Sequence, residues 1–334
     1  TYYSVFYVLR SLEFLILYFL IVNKVLSITK ILYIFVSIIS FTAIIGILQY
    51  LFQSSLGLFF LGEPLLSLDV PGISKIIMLN SEVLRSYSFF PHPNIFAGYL
   101  LTNIIFIFTL LKNSDSNEKI LLYLLLFISF IALLLTFSRS AILALLGAIF
   151  LYFTFSSQKI NFHKLFISIF LIVFVFFTFD LFSVFLSRTE LIESDALTER
   201  IELLRISKYM FLDNIFGVGV GNFTYAMQDY SSVNLQPWEF QPVHNIFMLI
   251  MTEQGILSLL LYLYLFYNVF KNLIINRKHD INMLFLSLGF SLLIIGLFDH
   301  YLISLYPGQL LLFLYLSLVS SNPQRVNGNH LKGL

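Results

Sequence analysis

The sequence has no cysteine, a single tryptophan, and so little charge that Asp, Glu, Lys and Arg make up only 11% of its 334 residues. Without cysteine there can be no disulfide, thiolate metal site, iron–sulfur cluster or cysteine nucleophile, so any chemistry rests on histidine, carboxylates, arginine, lysine or hydroxyls. The scarcity of charge excludes an ordinary soluble domain, in which about a quarter of residues are charged. A net charge of +1 argues against nucleic acid as a partner. What is abundant is apolar: 59% of residues, with a mean hydropathy of +0.90, the composition of a chain whose solvent is lipid. The chain opens on Thr1 and apolar sequence, with neither a basic leader region nor a small-residue cleavage site. No signal peptide is expected, and the chain reads as the remainder of a longer one.

Apolar runs of roughly 20 residues without strand alternation predict membrane helices, because backbone in hydrocarbon must satisfy its own hydrogen bonds. The expected fold class is therefore all-α: a polytopic transmembrane helical bundle forming a single integral membrane domain over residues 1–334. Nine spans are expected, at 4–22, 29–52, 93–111, 119–137, 140–155, 164–186, 243–270, 282–298 and 301–320. Six of the eight prolines lie outside them and Pro93 opens the third, where proline is tolerated, while Pro307, inside the last, predicts a kink.

The connections alternate in character. Short ones carry Lys24, Lys30, Lys112, Lys119, Lys159, Lys164, Lys271, Arg277 and Lys278, and the tail adds Arg325 and Lys332; the positive-inside rule makes these cytoplasmic. The outer set comprises two long loops, 53–92 and 187–242, and two tight turns at Ser138–Ser140 and Asp299–His300. Residue 1 then starts outside, so an odd number of spans, such as three, is expected to precede it. The 187–242 loop is long enough to be an extracytoplasmic subdomain.

Outer basic residues are mostly arginine: Arg85, Arg139, Arg188, Arg200 and Arg205, with Lys75 and Lys208. Lysine suffices as a topological signal, whereas arginine's planar fork holds phosphate bidentately at a poorly hydrated surface. Each arginine alone could pair with one of the eight carboxylates of the second loop, but the set favours an anionic ligand outside the membrane. Within the spans, Arg10 can pair with Glu13, and Asp180 and Glu253 lie in or near span ends.

Specific segments sharpen this. Arg85 precedes Pro91-His92-Pro93-Asn94, where Asn94 is an expected N-cap of the third span and His92 a rim residue. Thr136-Phe137-Ser138-Arg139-Ser140 joins two spans with almost no loop, which pins the Arg139 guanidinium at the bundle mouth. Such placement costs up to about 2.5–3.5 kcal/mol at helix centre, less near headgroups, and so implies use. Residues 194–211 read as a helix capped by Ser194 or Asp195, with Ile201, Leu204, Met210 and Phe211 suited to a membrane surface. Gly217, Gly219 and Gly221 follow as G-x-G-x-G; no βαβ frame surrounds them, so a loop reversal, or a turn that admits a glycan or phosphate, is preferred to a dinucleotide site. His244-Asn245 opens the seventh span, where the helix dipole keeps the imidazole neutral and able to accept a proton. Glu253 is about 13 Å farther along that helix, too far to orient His244 directly. Asp299-His300 is a second, weaker pair. The six histidines show no metal-ligand spacing, and neither a metal nor a cofactor is expected.

Taken together, Arg85 with Pro93-Asn94, Ser138-Arg139, Arg200-x-x-x-Leu204, Asp213 to Phe223, and His244-Asn245 with Gly255 resemble the O-antigen ligase and polymerase superfamily of bacterial envelope enzymes. The likeness spans about 85–316 and departs at Ser258, where Gly, Thr or Tyr is usual. It implies a multi-pass plasma-membrane enzyme with its site facing the periplasm or exterior. It also implies an undecaprenyl diphosphate-linked glycan donor, a glycan or lipid acceptor, membrane lipids as surroundings, and inverting glycosyl transfer without metal. On this resemblance His244 is the expected base or acceptor-orienting residue, Arg85, Arg139, Arg200 and Arg205 bind the diphosphate, and Asn94, Gly219, Gly221 and Asn245 support them. Ligase, polymerase and protein O-glycosyltransferase remain open. The rival reading is a flippase for lipid-linked glycan or another transporter, which would place ionisable residues at mid-membrane depth along a path.

Overall fold

The computed structural model describes residues 2–78, 81–155, 193–231, 235 and 239–321; the span expected at 164–186 and Arg188 lie outside these. The chain is an all-α membrane protein. Among the described residues its helices include α1 (Tyr2–Val22), α2 (Ile28–Phe52), α3 (Pro93–Leu111), α4 (Ser116–Leu135), α5 (Arg139–Phe155), α6 (Glu193–Asp213), α7 (Ile246–Ile275), α8 (Asp280–Phe298), α9 (Tyr301–Ser304) and α10 (Tyr306–Ser321), besides a single turn at Phe223–Ala226. Among the described residues, six of these (α1–α4, α7 and α8) are long and apolar enough to cross a membrane; α5 and α10 are shorter apolar helices. Each expected span within the described residues thus has a helix, and among those residues strand is confined to a hairpin of β1 (Lys75–Met78) and β2 (Ser81–Leu84), paired antiparallel with Lys75 opposite Leu84.

The packing divides into two compact units. The first is built on Tyr33–Leu146. Its centre is α3, apolar on every side and buried along most of its length, which is the pattern of a helix surrounded by other helices. One polar group crosses this interior: Asn103 Nδ2 donates to Ser40 Oγ of α2 at 3.2 Å and to Ser129 Oγ of α4 at 2.9 Å. The 53–92 loop is ordered by Glu63, whose carboxylate accepts from Leu56 N (2.7 Å), Leu58 N (2.6 Å) and Gln49 Nε2 (2.8 Å). α3 is not capped by Asn94 as expected. His92 is the N-cap, its Nδ1 accepting from Asn94 N at 3.1 Å, with Pro93 at the first helical position where no N–H is needed. The Asn94 side chain is drawn elsewhere, to Arg85.

The second unit comprises Thr1–Leu32, Gly147–Phe155 and the chain from Arg200 onward. Here α8 is the most enclosed helix, and α1 lies along α10. Helix α6 turns Leu203, Ile206 and Met210 inward onto Phe223, Met227, Val243 and Leu249. It leaves Ile201, Leu204 and Leu212 exposed, an apolar outer face that suits a membrane surface. Two breaks interrupt the spans. In α7, Gly255 takes a non-helical φ of 83° and ψ of 173°. The last span is divided at Leu305, extended at ψ 144°, so that Pro307 falls in the first turn of α10, where proline is tolerated, and the expected kink becomes a full break.

Candidate active site

In the first unit the site residues gather at the α4–α5 turn. α4 ends at Leu135 and α5 begins at Arg139, so three residues reverse the chain, with Phe137 in the left-handed region at φ 49°. That conformation is strained for a side chain with a Cβ and persists where surrounding contacts impose it. Arg85 supplies them. It is 4% exposed, and its Nε donates to Thr136 O (2.6 Å), Nη1 to Ser74 Oγ (2.7 Å) and Nη2 to Asn94 Oδ1 (2.8 Å). Ser86 N donates to Leu135 O at 3.0 Å beside it. Arg85 therefore braces the hairpin loop, the start of α3 and the end of α4 at once. Arg139, half-buried, is the first residue after the braced turn.

In the second unit Asn245, not His244, caps α7: its Oδ1 accepts from Phe247 N and Met248 N, both at 3.0 Å, while Nδ2 donates to Leu297 O of α8 at 3.2 Å. This fixes His244 one residue before the cap, at the positive end of the helix dipole. Its ring meets that of His300 edge to face, with centroids 5.2 Å apart at 72°. His300 Nδ1 lies 2.6 Å from Ser304 Oγ, and that hydroxyl donates to His300 O at 3.1 Å. One hydroxyl proton cannot serve both. Where the hydroxyl donates to the carbonyl, Nδ1 carries the imidazole proton; where it donates to Nδ1, the proton sits on Nε2. Burial pushes the His300 imidazole below its ordinary range, with the Asp299 carboxylate pulling the other way. Asp299 Oδ1 itself accepts from His300 N at 2.8 Å. The pair that looked isolated in sequence thus stands beside the expected base.

The glycine turn has a definite partner. Gly217, Gly219 and Gly221 take φ of 89°, 100° and 74°, a region closed to most side chains, and the turn they form docks against the break in α7. Val218 N donates to Thr252 O (2.9 Å), Gly219 N to Glu253 O (2.8 Å), and Ile256 N to Ile215 O (3.1 Å). The Glu253 carboxylate, on a residue 6% exposed, accepts Gly221 N at 2.8 Å and Phe223 N at 3.1 Å. A Cβ at Gly217 would lie 2.5 Å from Glu253 O, and one at Gly255 would lie 2.6 Å from Phe216 C. These amides serve the helix break, so the turn acts as a clasp. Glu253, too distant to orient His244, is the residue that closes it.

Arg200 is exposed near the start of the packed part of α6. Arg205 holds Glu202 bidentately, Nε to Oε2 and Nη2 to Oε1 at 2.7 Å each, and Nη2 also donates to Tyr230 O at 3.2 Å. Arg10, expected against Glu13, pairs with no carboxylate among the described residues.

Arg85, Asn94 and Arg139 thus belong to one unit, and Arg200, Arg205, Gly219, Gly221, His244 and Asn245 to the other. A sequence-family model described as O-antigen ligase matches residues 124–263, a stretch that contains Arg139, Arg200, Arg205, the glycine turn and His244-Asn245. The match bears out the resemblance of this chain to the O-antigen ligase superfamily. No curated protein matches the chain.

Proposed function

We propose that this protein is a metal-independent, inverting glycosyltransferase. It moves glycan from an undecaprenyl diphosphate carrier to an acceptor hydroxyl on the outer side of the plasma membrane, in ligation or polymerisation of a surface polysaccharide. The observation that carries the reading is the family match over 124–263, because it covers Arg139, Arg200, Arg205 and His244 in one stretch. The chemistry is consistent with it. A lipid diphosphate is already a good leaving group, and guanidinium groups stabilise the negative charge that grows on it as the bond to the anomeric carbon breaks. The acceptor oxygen attacks that carbon from the opposite face, and its proton passes to a base.

His244 is the base or acceptor-orienting residue, supported by its place at a helix N-terminus beside a second, neutral imidazole. Arg139 and Arg200 bind the diphosphate. Arg85 is committed to Thr136, Ser74 and Asn94, and we assign it to hold the turn that presents Arg139. Arg205 joins the diphosphate only by exchanging its Glu202 partner. An open groove of about 320 Å³ along α7, lined by Ile250, Gln254, Ser258, Leu261, Tyr262, Leu265 and Ile303, has room for only a short stretch of such a carrier's chain.

The test is direct. Purified protein receives lipid-linked oligosaccharide and acceptor, with and without EDTA, and products are read by mass and anomeric configuration. Transfer with inversion that survives EDTA and falls at least about 100-fold in both His244→Ala and Arg200→Ala supports the proposal. Activity that persists in both variants overturns the site. Movement of lipid-linked glycan across sealed vesicles without covalent transfer would instead identify a flippase.

A further inference from the structure

Arg10 is the basic residue that neither the inner nor the outer group accounts for. It lies in α1, roughly 12 Å from the helix start, where an unneutralised cation is unfavourable in lipid. Glu13 leaves it unpaired, and its Nε is buried without a hydrogen-bond partner. Yet the guanidinium is positioned. Its Cζ sits 4.3 Å from the Tyr7 ring centroid and 5.4 Å from that of Phe6, and Nη2 donates to Ser304 O at 3.1 Å. Tyr7 OH donates to the same carbonyl at 3.1 Å, and the Tyr7 ring fills the space beside Gly221. Ser304 in turn touches His300 through Oγ, and His300 meets His244. Arg10, Ser304, His300 and His244 thus form one chain of contacts within a single unit.

A half-buried fork whose Nε has no acceptor, steadied by an aromatic face and a carbonyl rather than by a carboxylate, is suited to receive an anion from outside the chain. We propose that Arg10 binds a lipid-borne phosphate next to the His244–His300 pair. Its identity as the diphosphate of the glycan donor rests on the transferase reading above. Arg10 lies outside the stretch covered by the family match and outside every motif that carried the resemblance. It would add a clamp contributed by α1, in the same unit as Arg200 and His244.

The experiment uses the full chain in phosphatidylcholine nanodiscs and measures undecaprenyl diphosphate binding without acceptor. The expected result is affinity at least tenfold weaker in Arg10→Ala, largely restored in Arg10→Lys, and unaffected by excess phosphatidylglycerol. Arg10→Gln, which can keep the bond to Ser304, serves if the alanine variant does not fold. Binding within twofold of the parent in the neutral variants would overturn the proposal. So would displacement by equimolar phosphatidylglycerol, which would mark a general headgroup site. Because binding is read without turnover, arginine-dependent affinity in a protein that transfers no glycan would refute the transferase reading alone, and transfer with arginine-independent binding would refute this inference alone.

Discussion

Replacing Glu253 tests whether the glycine turn is a clasp or a free loop. The carboxylate takes two backbone amides, from Gly221 and Phe223, on a residue 6% exposed, so water cannot substitute for it. Hydrogen bonds to a charged acceptor contribute about 1.5–3 kcal/mol each, and a buried N–H left unpaired costs about 1–3 kcal/mol. Glu253→Gln retains one oxygen acceptor and sets an NH2 against the other amide, for a loss of about 2–3 kcal/mol; Glu253→Ala orphans both, for about 3–5 kcal/mol. Hydrogen exchange followed by mass spectrometry on peptides spanning 217–223 reads this locally. At about 1.4 kcal/mol per tenfold, Gly221 and Phe223 should exchange about 30- to 140-fold faster in Glu253→Gln. Val218 and Gly219 donate to backbone carbonyls that the substitution leaves in place, and so act as an internal reference. Unchanged exchange at Gly221 and Phe223 in Glu253→Ala would refute the clasp.

Three further outcomes follow from the same geometry. Gly255→Ala should lower stability by at least about 1–2 kcal/mol, since its φ of 83° disfavours any Cβ, and the added atom would meet Phe216 backbone; a melting temperature in detergent equal to the parent would contradict this. Arg85→Ala should cost about 3–5 kcal/mol by removing the guanidinium's hydrogen bonds to Thr136, Ser74 and Asn94, and, if Arg139 binds the diphosphate as proposed, should lower turnover in the transfer assay. His300 is held neutral in the fold, its pKa below the ordinary 6.5, so the unfolded chain binds the extra proton. The stability it contributes is present above pH 6.5 and is lost as pH falls from there toward the lowered folded value. Denaturation curves of His300→Gln should therefore be flatter across that acid window than those of the parent.

How much of this was legible in the sequence follows from where the information resides. Lipid leaves backbone so few choices that apolar length alone announces helices, and every described span was visible for that reason. Charge is as costly there, so Arg139 in its tight turn and the outer arginines stood out without any structure. Glycines at positive φ were legible as a turn, because G-x-G-x-G has little other use outside a nucleotide fold.

Partners were not legible. Arg85 reaches Thr136 across 51 positions, and Gly221 reaches Glu253 across 32. Nothing in local spacing distinguishes a guanidinium that braces a turn from one that waits for a phosphate. Arg10 and Arg85 illustrate the difference: both are arginines in a poorly hydrated place, yet one is spent on three internal acceptors and the other on a single carbonyl and two rings. Spacing pairs Arg10 with Glu13 and the motif offers Arg85 to an anion, whereas function depends on how many donors remain after the fold has taken its share. By that measure Arg85 has donors committed to three acceptors within the fold, while Arg10, which no motif contains, keeps its Nε for the anion proposed above.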